Sequence, residues 1–135
     1  MIDPSSIQHT WALAVPGRPV SHNDNERRHW STRRRRAKRL RQLAWALAKK
    51  HQIPDLTGRC AVGIQVHFSD KRRRDASNYV SSMHKHLLDG LVDAGVLTDD
   101  TPGEVVELMP TIHSGAEEAH TLLLVHQLKE GENDG

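Results

Sequence analysis

Residues 60–68 read CAVGIQVHF, with Val62, Ile64, Val66 and Phe68 on alternate positions. A strand turns successive side chains to opposite faces, so this spacing predicts a half-buried strand. The stretch decides the fold because the period changes just after it. From about 76 to 94, Val80, Met83, Leu87, Leu88 and Leu91 form one apolar arc at helical spacing. Gly95 then stands where a left-handed C-cap belongs.

The neighbouring segments extend the pattern in both directions. Upstream, HTWALAV (9–15) suits a first strand, and PGRPVSHNDNERRHW is expected to be loop. A helix should start near Ser31 or Thr32, either of which could be its N-cap, and carry Leu40, Leu43, Ala44 and Leu47 inward. Pro54 and Gly58 should end it. Downstream, EVVELMPTI (104–112) and HTLLLVHQL (120–128) read as two strands joined by HSGAEEA. The order strand, helix, strand, helix, strand, strand predicts one α+β domain over 1–128, a small mixed sheet packed with two main helices. KEGENDG (129–135) is expected to be a disordered acidic tail.

A chain of 135 residues can bury a core without staples. Its mean hydropathy of -0.63 and lack of a long apolar run argue against a membrane span. No charged and apolar leader is visible at the N-terminus, and the single Cys60 excludes an internal disulfide or a cysteine zinc cluster. A cytoplasmic location is the expectation.

The net charge of +2 hides a strong asymmetry. Residues 26–74 hold 16 Lys/Arg against 3 Asp/Glu, whereas 75–135 hold 2 against 12. A single arginine run can be a solvated helix face. Here there are two runs, RRRRAKRLR (33–41) and KRRR (71–74), and the second runs straight into Asp75. That arrangement favours a nucleic-acid partner. The acid is out of place against phosphates unless a cation lies between them.

On a helical wheel, Asn78, Ser82, Lys85 and Asp89 share a polar stripe, and Asp75 projects to the same side. Lys85 and Asp89 are spaced for an ion pair. Asp99 and Asp100 follow the helix in TDDTPG. These residue types suit a turn, but adjacent carboxylates also suit Mg²⁺, which takes one or two of them together with phosphate oxygens. A 28 Å helix, at about 1.5 Å per residue, would put Asp75 and Asp100 at opposite ends. A broken helix or an antiparallel dimer would relieve that separation. Among the weaker signals, Trp11 and Trp45 are expected in the core. Trp30 is the better candidate for touching DNA, and Cys60 should be a buried thiol. His84 and His86 are expected at the surface or boundary.

The order RRRDASNYV…KHLLDGLVDAGVLTDD resembles the RusA family of Holliday junction resolvases. The likeness is strongest over 71–101 and looser at WALAVPGRPVSHN. It implies a dimeric, Mg²⁺-dependent endonuclease, with Mn²⁺ as a possible substitute, that cuts four-way DNA junctions in recombination, repair or phage DNA processing. By the same resemblance Asp75, Asp99 and Asp100 would hold metal. Asp75, Asp100, Lys85 and Asn78 would be catalytic. Arg33, Arg34, Arg35, Arg36, Lys38, Arg39, Arg41, Lys71, Arg72, Arg73 and Arg74 would hold DNA. Two departures stand out. Ser77 occupies the place of the family's second aspartate, and the segment from Asn78 to Asp89 is about one turn longer. Ser77 therefore also fits a DNA-binding protein that has lost cleavage. A basic module for RNA or acidic protein is the third reading, if TDD is only a turn.

Overall fold

The computed structural model describes residues 2–56, 59–98 and 105–129. Its strands are β1 (Ile7–Val15), β2 (Cys60–His67), β3 (Val105–Glu107), β4 (Thr111–His113) and β5 (His120–Leu128). Its α-helices are α1 (His22–Glu26), α2 (Trp30–Lys50) and α3 (Lys85–Asp93). The sheet order is β1-β5-β2-β3, with β4 also pairing β2. β5 is antiparallel to both β1 and β2, while β3 and β4 run parallel to β2. This is the mixed sheet of an α+β domain that the pattern predicts.

The core forms where the two periods meet. Val62, Ile64, Val66 and Phe68 of β2 and its exit join Leu13, Val15, Leu123 and Val125 on one sheet face. Leu40, Ala44 and Ala48 of α2, with Met83, Leu87 and Leu91, cover that face. Leu87 and Leu91 are fully buried, each contributing roughly 1.5–3 kcal/mol relative to exposure. β2 is more than half buried. Ala61 and Gly63, on its other face, are buried too, and Leu108 lies against Gly63. The helices cross closely at Gly90, where a Cβ would meet the Arg41 carbonyl oxygen at 2.3 Å.

Four local expectations need correction. The segment predicted as loop contains α1, capped by Ser21 Oγ, which accepts from Asp24 N at 3.1 Å. α2 starts at Trp30, because His29 Nδ1 accepts from Ser31 N and takes the capping role from Ser31 and Thr32. The 104–112 strand is two three-residue strands on β2, divided ahead of Pro110, which has no N–H to give a ladder. The 76–94 helix is continuous but changes winding. It has a 3₁₀ turn (Ala76–Tyr79), then a π turn (Val80–His84), then α3.

That change of winding alters the polar stripe. A 3₁₀ turn has 3.0 residues and an α turn 3.6, and a π turn is wider still. A single wheel therefore loses phase across Ala76–His84. Ser82 is buried, donating to the Val20 and Asn78 carbonyls at 2.6 and 3.1 Å, and does not share the exposed side of Lys85. His84 is also buried, contrary to expectation, and Trp45 is 46% exposed where a core position was expected. Trp11 packs on the core, Cys60 is buried, and Gly95 takes its C-cap role at φ +80°. Among the described residues no helix is long and apolar enough to cross a membrane. The predicted tail beyond Lys129 lies outside the described residues.

Candidate nucleic-acid interface

The chain leaves β2 at Phe68 and turns through Ser69 and Asp70 into the short arginine run. Asp70 organises this turn. Its Oδ1 accepts from Arg72 N at 3.0 Å, and its two oxygens accept from Arg74 Nη1 and Nη2 at 2.6 and 3.2 Å. These hydrogen bonds, with Arg74 first, hold the Asp70 carboxyl at about 2. The Arg74 guanidinium also lies 3.6 Å from the Phe68 ring centroid. Arg74 is thus fixed from two sides, with only 12% of its side chain exposed. Lys71, Arg72 and Arg73 are exposed.

Asp75 follows directly and caps the 3₁₀ turn. Its Oδ1 accepts from Ser77 N at 3.1 Å and from Ser77 Oγ at 2.9 Å. The backbone bond, then the hydroxyl bond, lower its pKa, so it is ionised at neutral pH. Asn78 belongs to the same turn, its N–H donating to the Asp75 carbonyl at 3.0 Å.

Across from this turn stands a second group of arginines. Asp24 accepts from Arg28 and from Arg36, each at 3.2 Å. Burial pushes the Asp24 carboxyl up, but the two guanidiniums outweigh it and leave it lowered. Between the two groups opens a cleft of about 400 Å³, whose lining includes Arg18, Arg28, Arg36, Arg72, Arg74 and Asp24. Arg18 and Arg28 are not among the residues singled out from sequence. Arg18 sits in a Pro/Gly-rich loop and Arg28 next to a histidine, so neither belongs to a run.

The longer run does not form one surface. Arg33 pairs with Glu26 at 3.2 Å. Arg34 lies over Trp30, 5.6 Å from a ring centroid, and Arg35 donates to Thr32 Oγ1 at 3.2 Å. Lys38 is exposed and lines a hollow of about 350 Å³ with Trp30, Arg34 and Arg35. The Arg39 guanidinium lies against Gly17. Arg41 forks onto Asp93, with Nη2 to Oδ1 at 2.8 Å. Lys85 pairs with Asp89 at 3.2 Å and shares a groove of about 380 Å³ with Arg34, Lys38 and Arg41. The structure therefore groups Lys85 with the α2 cations rather than with the lining of the Asp24 cleft.

Asp99 and Asp100 lie outside the described residues. Of their flanks, Val105 pairs with Cys60, and the Val96 carbonyl accepts from Leu56 N just ahead of β2. Asp75 lies beyond the other end of β2, which is about 23 Å long at the usual strand rise. Among the described residues no group of three or more His, Cys, Asp or Glu could hold a metal ion.

Strand register brings together a further set that sequence reading missed. His67 pairs with His113 on one side and His120 on the other. The three rings stack, with centroids 4.6 Å apart on both sides. Burial, then the two neighbouring imidazoles, lower the pKa of His67. Each histidine terminates a strand segment in the sequence, but only the pairing register puts them side by side. No family model matches the chain, and no curated protein matches it.

Proposed function

We infer that this protein is a divalent-metal-dependent endonuclease that cuts branched DNA, of the kind its RusA-like motif implies, and that it works as a homodimer. One observation carries the reading. An exposed, ionised carboxylate, Asp75, directly follows Arg72–Arg74, where the arginine cleft gathers cations. Guanidinium forks suit phosphate oxygens, and such contacts read the backbone rather than sequence. Sequence-independent binding follows from that chemistry, and the four-way junction as target is what the RusA resemblance implies.

At the short arginine run Asp75 is a carboxylate with no cation paired to it among the described residues, which fits Mg²⁺, an ion that takes its other ligands from water and substrate phosphate. Asp75 is the residue that would hold it, and Asp99 and Asp100 are the further donors. A cation bound there would acidify a water for attack on phosphorus and offset charge on the phosphate. The flanks of Asp99 and Asp100 stand at the far end of β2 from Asp75. The reading therefore takes those two carboxylates from a second copy of the chain, consistent with two symmetric cuts in a two-fold junction. Ser77 N–H and Oγ–H hold Asp75 in place, and Arg72 and Arg74 orient the phosphate.

A second reading, a DNA-binding protein with weakened cleavage, is favoured by the same bond. Ser77 Oγ donates to Asp75 where the motif would place another acid. Incubation with a synthetic four-way junction and Mg²⁺ separates the two. Paired nicks from the wild type, lost in Asp75→Asn and Asp100→Asn, support the nuclease. Tight junction binding without nicks, in Mg²⁺ and in Mn²⁺, supports the weakened form.

A further inference from the structure

The arginine cleft gathers more cations than Arg72 and Arg74, the two assigned above to a backbone phosphate. Its walls come from three segments, the loop after β1 with Arg18, the α1–α2 region with Arg28 and Arg36, and the exit of β2 with Arg72 and Arg74. Among the described residues that line it, Asp24 is the one carboxylate, against five guanidiniums. Three of the arginines are held by fixed partners. Asp24 fixes Arg28 and Arg36, while Asp70 and the Phe68 ring fix Arg74. Arg18 and Arg72 have no ion pair among the described residues. Tyr79 also lines the cleft, and burial raises its pKa despite Arg74 and Arg18, so its hydroxyl keeps its proton.

A duplex, roughly 20 Å across, does not enter a hollow of about 400 Å³, whereas a single phosphate group with its sugar does. A bridging phosphodiester carries one negative charge. A phosphomonoester carries about 1.5 to 2 near pH 7 and has three terminal oxygens for guanidinium forks. The positive charge left uncompensated on Arg18 and Arg72 matches the monoester better. We propose that the cleft is a terminal-phosphate pocket, taking either the phosphomonoester at a nucleic-acid strand end or a small free phosphate such as pyrophosphate. The strand-end form rests on the nucleic-acid reading above. The phosphate recognition does not.

The test uses the full chain in EDTA, so that no cleavage intervenes. A 3′-labelled single-stranded dodecamer is titrated with either a 5′-phosphate or a 5′-hydroxyl and followed by anisotropy, and sodium pyrophosphate is added as competitor. The expected result is about tenfold tighter binding of the phosphorylated strand, the size of about one charge-assisted hydrogen bond. Arg18→Gln, in an exposed loop, should bring that ratio to about 1, with folding checked by its melting curve. Pyrophosphate that displaces the phosphorylated strand and raises the melting temperature supports the free-phosphate source as well. Discrimination without pyrophosphate binding supports the strand end alone. Equal affinity for the two strands, with no pyrophosphate effect, overturns the pocket but leaves DNA binding intact. Pyrophosphate binding with no affinity for either strand supports the pocket and rejects the nucleic-acid reading.

Discussion

The two arginine runs look alike in sequence and behave differently in the fold. Much of the α2 run is engaged within the protein. Arg33 is bound to Glu26, Arg36 to Asp24 and Arg41 to Asp93, and Arg34 stacks on Trp30. The β2-exit run has one anchored member, Arg74, and three exposed cations beside an ionised acid. The difference teaches that a cation count does not locate a phosphate surface. What matters is which guanidiniums remain unneutralised and whether the neutralised ones are being aimed.

The strongest way to break the comparison is to dislodge the long run as a unit. Gly90→Ala places a Cβ 2.3 Å from the Arg41 carbonyl oxygen and 2.7 Å from Ala44 Cβ. Backbone does not give way easily, so overpacking should cost about 3 kcal/mol, read by urea unfolding. Near-wild-type stability would mean that α2 and α3 do not cross this closely.

Next comes the anchor of the short run. Arg74→Lys keeps the charge but loses both the fork onto Asp70 and the planar stack on Phe68. A loss of about 1 kcal/mol of stability is expected from the stack, with weaker DNA binding because Asp70 and Phe68 no longer hold the end of the short run in place. Unchanged stability and binding would show that Arg74 is not positioned by these contacts.

The comparison is sharpened by a matched pair. Arg72→Ala should weaken DNA binding uniformly across sequences and reduce the salt slope of log K by about 1. Arg41→Ala removes an exposed ion pair and should leave that slope unchanged, with little shift in melting temperature. Equal effects on the slope would erase the distinction between the runs.

The smallest effect concerns pH. His67, His86 and His126 all have lowered pKa values, burial being the first cause in each. The unfolded chain therefore binds more protons near pH 6.5 than the folded one, and stability must rise with pH through that window. Melting temperature should be lower at pH 5.5 than at 7.5, and His67→Gln should flatten the dependence.

Much of the fold was legible because alternation and helical spacing are local. Val62 to Phe68 and Met83 to Leu91 declare their apolar faces without help from the rest of the chain, whereas Val80, placed on the same arc, is exposed. The caps were less legible, since histidine is not among the usual N-cap residues, yet the His29 ring accepts from Ser31 N. The winding of 76–84 was hidden because 3₁₀, α and π turns can share one apolar arc. For the candidate site, the short run and Asp75 could be read directly. Arg18, Arg28 and the His67–His113–His120 stack depend on tertiary placement and strand register, which single-segment patterns do not carry.

The central claim is that Asp75 holds a divalent cation beside phosphates bound by the short arginine run. Mn²⁺ titrated into the protein–junction complex, with bound ions counted by electron paramagnetic resonance, tests it most directly. The account predicts a bound ion in the wild type and in Arg41→Ala that is lost in Asp75→Asn while the junction stays bound. The same number of ions in Asp75→Asn as in the wild type would contradict it.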